Sequence, residues 1–180
     1  MIQTSRKYGV LTIVLALAMG FSTTVASAKQ PENYMGIRFG VATPAGDLED
    51  FDSSASVEVA FGHYFNPNFA LEGSIGGMIF SSPNNYDYEI YPFQINAKGI
   101  LPLDNVQLYA MFGIGAYYTY NEFRDDYNTL FGYDFGIGGL LKLSDSLGLG
   151  AEWKYFAIEE ADWGTEAEGS TFSVNLQLHF

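Results

Sequence analysis

The side chains best suited to nucleophilic or acid–base chemistry are few. The chain contains two histidines and no cysteine, so a thiol nucleophile, a cysteine-ligated metal and a disulfide framework are excluded. Neither His63 nor His179 has a serine two residues away along the chain. The pair Glu159 and Glu160 could act as a base, but it falls in a predicted solvated loop. We therefore predict no catalytic residue and no metal site, and we expect no cofactor.

Carboxylates are the abundant polar groups. The chain has 21 Asp and Glu against 8 Lys and Arg, and its net charge of −13 argues against nucleic acid as a partner. Most acids fall in four segments between apolar stretches: Asp47, Glu49, Asp50 and Asp52; Asp87 and Glu89; Glu122, Asp125 and Asp126; Glu159, Glu160, Asp162, Glu166 and Glu168. Oxygen ligands suit Ca²⁺ or Mg²⁺. A weak cation-binding rim is one interpretation and a solvated acidic surface is the other, since no spacing matches a defined loop motif.

A second set of charges lies inside segments whose residues alternate between apolar and polar. Its members are Arg38, Glu58, Glu72, Lys98, Asp134, Lys142, Glu152 and Lys154. All of them occupy polar positions, and their charges sum to zero. The other cations after residue 28 are Lys29 and Arg124, so the rest of the chain is strongly acidic. Balanced charge indicates a closed lumen, where buried charges must pair.

Relative height along neighbouring strands predicts which of these charges pair. We expect Glu72 to pair with Lys98, and Asp134 with Lys154 across a hairpin diagonal. Arg38 and Glu58 form a looser third pair. No partner is assigned to Lys142 or Glu152.

Eight alternating segments position these residues, and strict alternation is typical of β-strands. They cover about 33–41, 55–65, 68–80, 90–101, 106–120, 130–143, 147–158 and 171–180. Long connections at 41–55, 81–89, 121–129 and 159–170 alternate with tight turns at 66–68, 102–105 and 144–146. Residues 29–180 are therefore predicted to form one all-β domain, an eight-stranded antiparallel up-and-down barrel.

Alternation alone does not say which face points inward. A soluble barrel buries its apolar face, whereas a membrane barrel turns it to lipid. The polar positions are rich in glycine, which suits the narrow interior of an eight-stranded barrel and would weaken strands on a solvated face. Tyrosines near the loop ends and phenylalanines near the opposite rim are typical of interfacial girdles. These features favour a transmembrane barrel.

Residues 1–28 carry the features of a cleavable signal peptide. Arg6 and Lys7 precede an apolar run of about a dozen residues, and Ala26-Ser27-Ala28 fits a small-x-small cleavage site. The run is too short for a membrane helix, which needs about 20 residues. We expect export, with cleavage after Ala28.

The last strand alternates without error and ends on an aromatic residue. Its apolar face consists of Phe172, Val174, Leu176, Leu178 and Phe180. This resembles the C-terminal signature of bacterial outer-membrane β-barrels, in which the closing strand is the signal read by the assembly machinery. From Asn33 onward the chain resembles the small eight-stranded barrels of outer membrane protein A, the opacity proteins and the related porin-like proteins. Without a peptidoglycan-binding domain after the barrel, it is expected to be barrel alone.

The resemblance implies an outer-membrane protein of a Gram-negative bacterium, but it leaves activity open because the family supports several functions. The leading hypothesis is a non-enzymatic, monomeric barrel with a structural or surface-interaction role, such as adhesion or resistance. The resemblance implies outer-membrane lipid, lipopolysaccharide and the assembly machinery as partners, with no nucleic acid. A narrow porin-like channel and a lipid A-modifying enzyme are the alternatives. Deacylases of this shape use a His and a Ser two residues apart, a pair that this chain lacks.

Overall fold

Eight long strands account for nearly all of the chain that the structure describes. The computed structural model describes residues 32–83, 86–122, 125–159 and 166–180, so the predicted signal peptide lies outside the described residues. The strands are β1 (Asn33–Gly46), β2 (Ser54–Asn66), β3 (Phe69–Ser81), β4 (Asp87–Leu103), β5 (Val106–Asn121), β6 (Asp126–Lys142), β7 (Leu147–Ile158) and β8 (Ala167–His179). Within these residues, no helix has the length and apolarity needed to cross a membrane.

Each strand pairs antiparallel with the next, and β8 returns to pair with β1, so the sheet closes into a barrel. The seam runs from Tyr34↔His179 to Gly46↔Ala167. Where β1 begins and the chain ends, Asn33 and Phe180 exchange two backbone hydrogen bonds of 3.1 and 2.9 Å. Closure leaves no open sheet edge, which a strand protein inside hydrocarbon requires. The predicted fold and strand number are confirmed.

The barrel has a loop end, with the connections that follow β1, β3, β5 and β7, and a turn end, with the turns that follow β2, β4 and β6. At the loop end the strands extend farther than the sequence predicts. Asp87, Glu89, Asp126 and Glu168 were placed in loops, but they lie in strands. The connection 122–125 is as short as the turn 143–146. Hydrogen-bonded hairpins continue beyond the apolar band because charged side chains are tolerated there in water. Sequence alternation marked where the apolar face ends, which is not where strand pairing ends.

The apolar face points outward and the polar face inward. Phe39, Ile95, Ile137 and Phe172 are more than half exposed on the outside, whereas Arg38, Glu72, Asp134 and Lys154 are buried inside. A barrel in water would have the opposite arrangement, so the outer face needs lipid to cover it. The prediction of a transmembrane barrel rather than a soluble one is confirmed by this inversion.

Topology can be checked by labelling, because the chain has no native cysteine. Single cysteines at Asp50, in the connection 47–53, and at Asn66, at the opposite end of β2, are expected to differ. On intact cells, a membrane-impermeant maleimide should label the first and spare the second. Both positions are exposed, so both should react after the cells are lysed. Labelling of Asn66→Cys on intact cells would contradict the orientation.

Candidate functional site

Arg38 on β1 is the centre of the charges inside the barrel. Its Nη1 contacts Glu58 Oε1 on β2, and its Nη2 contacts Glu72 Oε1 on β3 at 2.8 Å. Its Nε lies 3.3 Å from Glu152 Oε1 on β7. One guanidinium thus faces three carboxylates on three strands. The predicted Arg38–Glu58 pair is present, and the two residues are direct register partners.

Lys98 on β4 forms the predicted pair with Glu72, at 2.7 Å from Nζ to Oε2. Tyr34 on β1 also donates to Glu72 Oε2, at 2.9 Å. The ammonium group lies 4.7 Å from the ring centre of Tyr109 and 5.6 Å from that of Tyr34, where a cation is attracted to the face of an aromatic ring. Glu72 is therefore satisfied by an arginine, a lysine and a phenol.

The predicted pair of Asp134 with Lys154 is wrong, because Gln94 on β4 lies between them. Lys154 Nζ donates to Glu58 Oε2 at 2.6 Å and to Gln94 Oε1 at 3.2 Å. The amide nitrogen of Gln94 then donates to Asp134 and, at 2.5 Å, to the hydroxyl oxygen of Tyr117. Gln94 lies on the polar face of its strand, so alternation could have suggested an inward position but not its partners.

Two further predictions about the charges are corrected or completed. Lys142, placed in the lumen by alternation, is exposed where β6 ends at the turn 143–146. Glu152, which had no assigned partner, accepts a hydrogen bond from Tyr109 at 2.8 Å in addition to its contact with Arg38. Lys142 follows the alternation, but it is the last residue of β6 and its side chain is exposed. The other charges of the set are buried.

Apolar layers cover this charge network at both ends. At the loop end, Leu48, Phe80, Tyr88, Tyr117 and Phe156 belong to one buried cluster. At the turn end, Tyr34, Ala70 and Ile100 form a second, with Tyr64 and Tyr109 packed against it. The cavity beside Arg38, Glu58 and Lys154 has a volume of about 20 Å³, enough for a single water molecule.

The connection 47–53 folds over the loop end of the barrel. Leu48 is 1% exposed inside the upper apolar layer, and the ring of Phe51 packs edge-on against Tyr86 and Tyr88. A backbone hydrogen bond from Asp52 to Ser81 ties the connection to β3. The acids Asp47, Glu49, Asp50 and Asp52 remain exposed on it. This connection is thus an ordered cap with an apolar underside and an acidic outer surface.

Other acids of the loop end are held by neighbouring groups. Tyr91 donates to Glu89 at 2.6 Å, Tyr120 donates to Asp125 at 3.0 Å, and Tyr155 donates to Glu168. The backbone amide of Glu166 donates to Asp47 at 3.0 Å, which joins the first and fourth connections. Glu160 and Asp162 lie outside the described residues. In the described part of the chain, no group of three or more His, Asp or Glu is arranged to hold a metal ion.

Both histidines lie at the turn end, as the sequence indicates. His63 Nδ1 is 2.9 Å from Asn33 Oδ1, and His179 stacks on Tyr64 with ring centres 5.9 Å apart. The terminal Phe180 packs its ring 6.1 Å from that of Phe61 on the outer face. On β8, Phe172, Val174, Leu176 and Leu178 are exposed to the outside. These side chains are the residues of the predicted assembly signal.

A closed barrel with an inverted surface and a filled interior describes a known class of membrane protein. The family model of the outer membrane protein beta-barrel domain matches residues 13–180. The chain belongs to this family. The outer-membrane barrel is therefore located in the outer membrane of a Gram-negative bacterium, and its strands cross the bilayer. A comparison with the sequences of curated proteins found no match.

Solved structures with the same fold include small surface barrels. Neisserial surface protein A is similar with a TM-score of 0.74 and 14% identity over 82% of this chain and 97% of that chain. Ail of Yersinia pestis, in complex with the heparin analogue sucrose octasulfate, gives a TM-score of 0.59 and 14% identity over 84% of this chain and 100% of that one. The outer membrane protein OprG from Pseudomonas aeruginosa gives a TM-score of 0.53 and 12% identity over 84% of this chain and 97% of that chain. At these identities the likeness concerns the fold.

Deletion of Phe180 is expected to reduce the yield of the folded outer-membrane barrel. The residue supplies two backbone hydrogen bonds at the seam and a ring contact with Phe61, and an incompletely closed seam leaves strand edges unsatisfied in lipid. The fraction of heat-modifiable, surface-exposed protein measures the effect. Phe180→Tyr is the control, because it keeps the aromatic ring and the backbone. Normal surface yield of the deletion would contradict the prediction.

Proposed function

We propose that this outer-membrane barrel is a non-enzymatic surface protein whose extracellular connections bind a positively charged partner. The observation that carries the proposal is the ordered acidic cap. Its carboxylates are exposed, and its backbone is fixed by Leu48, Phe51 and the contact of Asp47 with Glu166. A surface fixed before binding loses little conformational freedom when a partner docks.

Charge complementarity selects the kind of partner. The described cap carries Asp47, Glu49, Asp50 and Asp52, with Glu166 beside it, and no cation lies in residues 47–53. Such a surface attracts basic protein segments and repels polyanions. Ail has the same fold and was crystallised with a sulfated heparin analogue. The acidic cap of this chain favours a positively charged ligand, whereas the ligand in that complex is an anion.

The filled interior supports this role over a channel. Apolar clusters lie at both ends of the lumen, and every described charge between them except Asp134 forms an ion pair within the barrel. Eight strands generally leave room only for side chains. The positions of the histidines weigh against an enzyme acting on outer-leaflet lipid A, because both lie at the turn end. Mass spectrometry of lipid A from overexpressing cells tests that alternative, and a gained or lost acyl chain would support it.

The proposal is tested with the refolded barrel in lipid nanodiscs. Its binding is measured to immobilised polylysine, heparin, lipopolysaccharide, matrix proteins and complement factors. Binding to basic ligands should weaken as salt is raised, because exposed charges are screened. The triple variant Glu49→Gln, Asp50→Asn, Asp52→Asn should lose this binding. Asp104→Asn with Asp145→Asn, at the turn end, is the control and should keep it. Equal binding of the triple variant, or preference for heparin, would overturn the proposal.

A further inference from the structure

The charges buried in the barrel do not balance. Among the described residues, the interior holds the cations Arg38, Lys98 and Lys154 and the acids Glu58, Glu72, Glu152 and Asp134. Lys142, which would have balanced the set, lies at the exposed rim. Each of the three glutamates forms an ion pair with at least one of these cations, whereas no ion pair joins Asp134 to a described cation. Asp134 is therefore the surplus acid.

An amide oxygen that has no donor among the described residues, Asn96 Oδ1, faces the carboxylate of Asp134. Asn96, Gly113 and Asp134 are direct register partners on β4, β5 and β6. Because Gly113 has no side chain, Asn96 Oδ1 and Asp134 Oδ2 approach each other over it, both close to where a Cβ would lie. Both residues are 0% exposed, and within the described chain neither Asn96 Oδ1 nor Asp134 Oδ1 has a hydrogen-bond partner.

The surroundings disfavour a charged carboxylate at this position. Lys154 Nζ is directed to Glu58 and to Gln94 Oε1, and the neighbouring groups Gln94 and Tyr117 are uncharged. The other charged groups of the interior are Arg38 and Lys98, which contact Glu72, and Glu152, which contacts Arg38. A fourth negative charge in this buried interior would be uncompensated, which is strongly unfavourable.

We infer that Asp134 is buried as the neutral acid and donates its proton to the side-chain carbonyl oxygen of Asn96. One proton, taken up from solvent on folding, gives Asn96 Oδ1 a donor and brings the interior to zero net charge. The bound proton thus provides the positive charge that Lys142, exposed at the rim, does not bring into the interior. In the competing arrangement the Asn96 side-chain amide is rotated by 180°, so that its nitrogen donates to a charged Asp134. Its oxygen then accepts a hydrogen bond from the Ser74 hydroxyl, which lies 3.3 Å from Nδ2 in the present orientation.

Infrared difference spectroscopy of the refolded barrel separates the two arrangements without relying on a variant's stability. At neutral pH the wild-type barrel should show the carbonyl stretching band of a protonated carboxylic acid, shifted on exchange into D₂O. Asp134→Asn should lack that band, and Lys142→Ala should retain it. Absence of the band from the wild type would overturn the inference, as would an unchanged band in Asp134→Asn.

Urea unfolding gives the second readout. An unfolded Asp is ionised above about pH 5, so a folded state that retains the proton binds one more proton than the unfolded state. Stability must then fall as pH rises. The wild-type midpoint should decrease from about pH 5 to about pH 8 more steeply than that of Asp134→Asn. At neutral pH, Asp134→Asn should match or exceed the wild type, whereas Glu72→Gln, which removes a paired acid, should lower the midpoint. A midpoint lowered in Asp134→Asn as much as in Glu72→Gln would favour the rotated amide and overturn the inference.

Discussion

Arg38→Met is expected to destabilise the barrel by about 3–5 kcal/mol, the general cost of removing one partner from a buried ion pair. The substitution keeps side-chain volume but leaves Glu58, Glu72 and Glu152 with less compensating charge. Glu152 is affected most, because its other contact is a neutral phenol. Glu72 and Glu58 retain Lys98 and Lys154. The urea midpoint of the refolded protein in lipid vesicles measures the change.

Lys142→Met is the matched control for Arg38→Met. It removes one cation from a strand of the same barrel, but from the exposed rim, where substitutions generally change stability by less than about 0.5 kcal/mol. Equal effects of the two variants would mean that the polar face is solvated. The double variant Arg38→Met, Glu152→Met should recover part of the loss, because removing both partners leaves no unpaired charge.

Gly40→Val is expected to prevent closure of the barrel or to destabilise it by about 1–3 kcal/mol or more, the usual cost of overpacking. Gly40 lies at the seam opposite Ser173. A Cβ at this position would meet the carbonyl oxygen of Phe172 and lie 2.8 Å from Ser173 Cα. Both atoms belong to the backbone of β8, so a rotamer change cannot relieve the clash. The two strands would have to separate.

Gly99→Val is the matched control for the seam variant. Gly99 lies on the outward face of β4, and no atom of the described residues lies within 4 Å of the position of its Cβ. Valine favours strands, so this variant should fold as well as the wild type. The yield of heat-modifiable barrel and the urea midpoint compare the two. Normal folding of Gly40→Val would show that the seam is wider than the register indicates.

The sequence predicts the faces of this fold better than its contacts. Strict alternation is sufficient to place Arg38, Glu72 and Lys154 inside, because side chains of a strand point to opposite sides in turn. Contacts across the lumen depend on how far each strand is staggered around the barrel, which alternation does not encode. Gln94 consequently separates Lys154 from Asp134, although the two were expected to pair. The cap at 47–53 was also missed, since the single buried Leu48 carries no periodic signal.

The seam and the charge network have a joint consequence for folding kinetics. Arg38 on β1 reaches Glu152 on β7, and Lys154 on β7 reaches Glu58, which is 96 residues away in the sequence. These contacts require β1, β2 and β7 to have met, so a hairpin inserted early carries its charges without partners. Contacts between distant parts of a chain slow folding, because the chain loses conformational entropy before the contacts form and stabilise it. The last pairing of strands and the neutralisation of the interior should therefore occur in one late, cooperative step, before which the lumen remains hydrated.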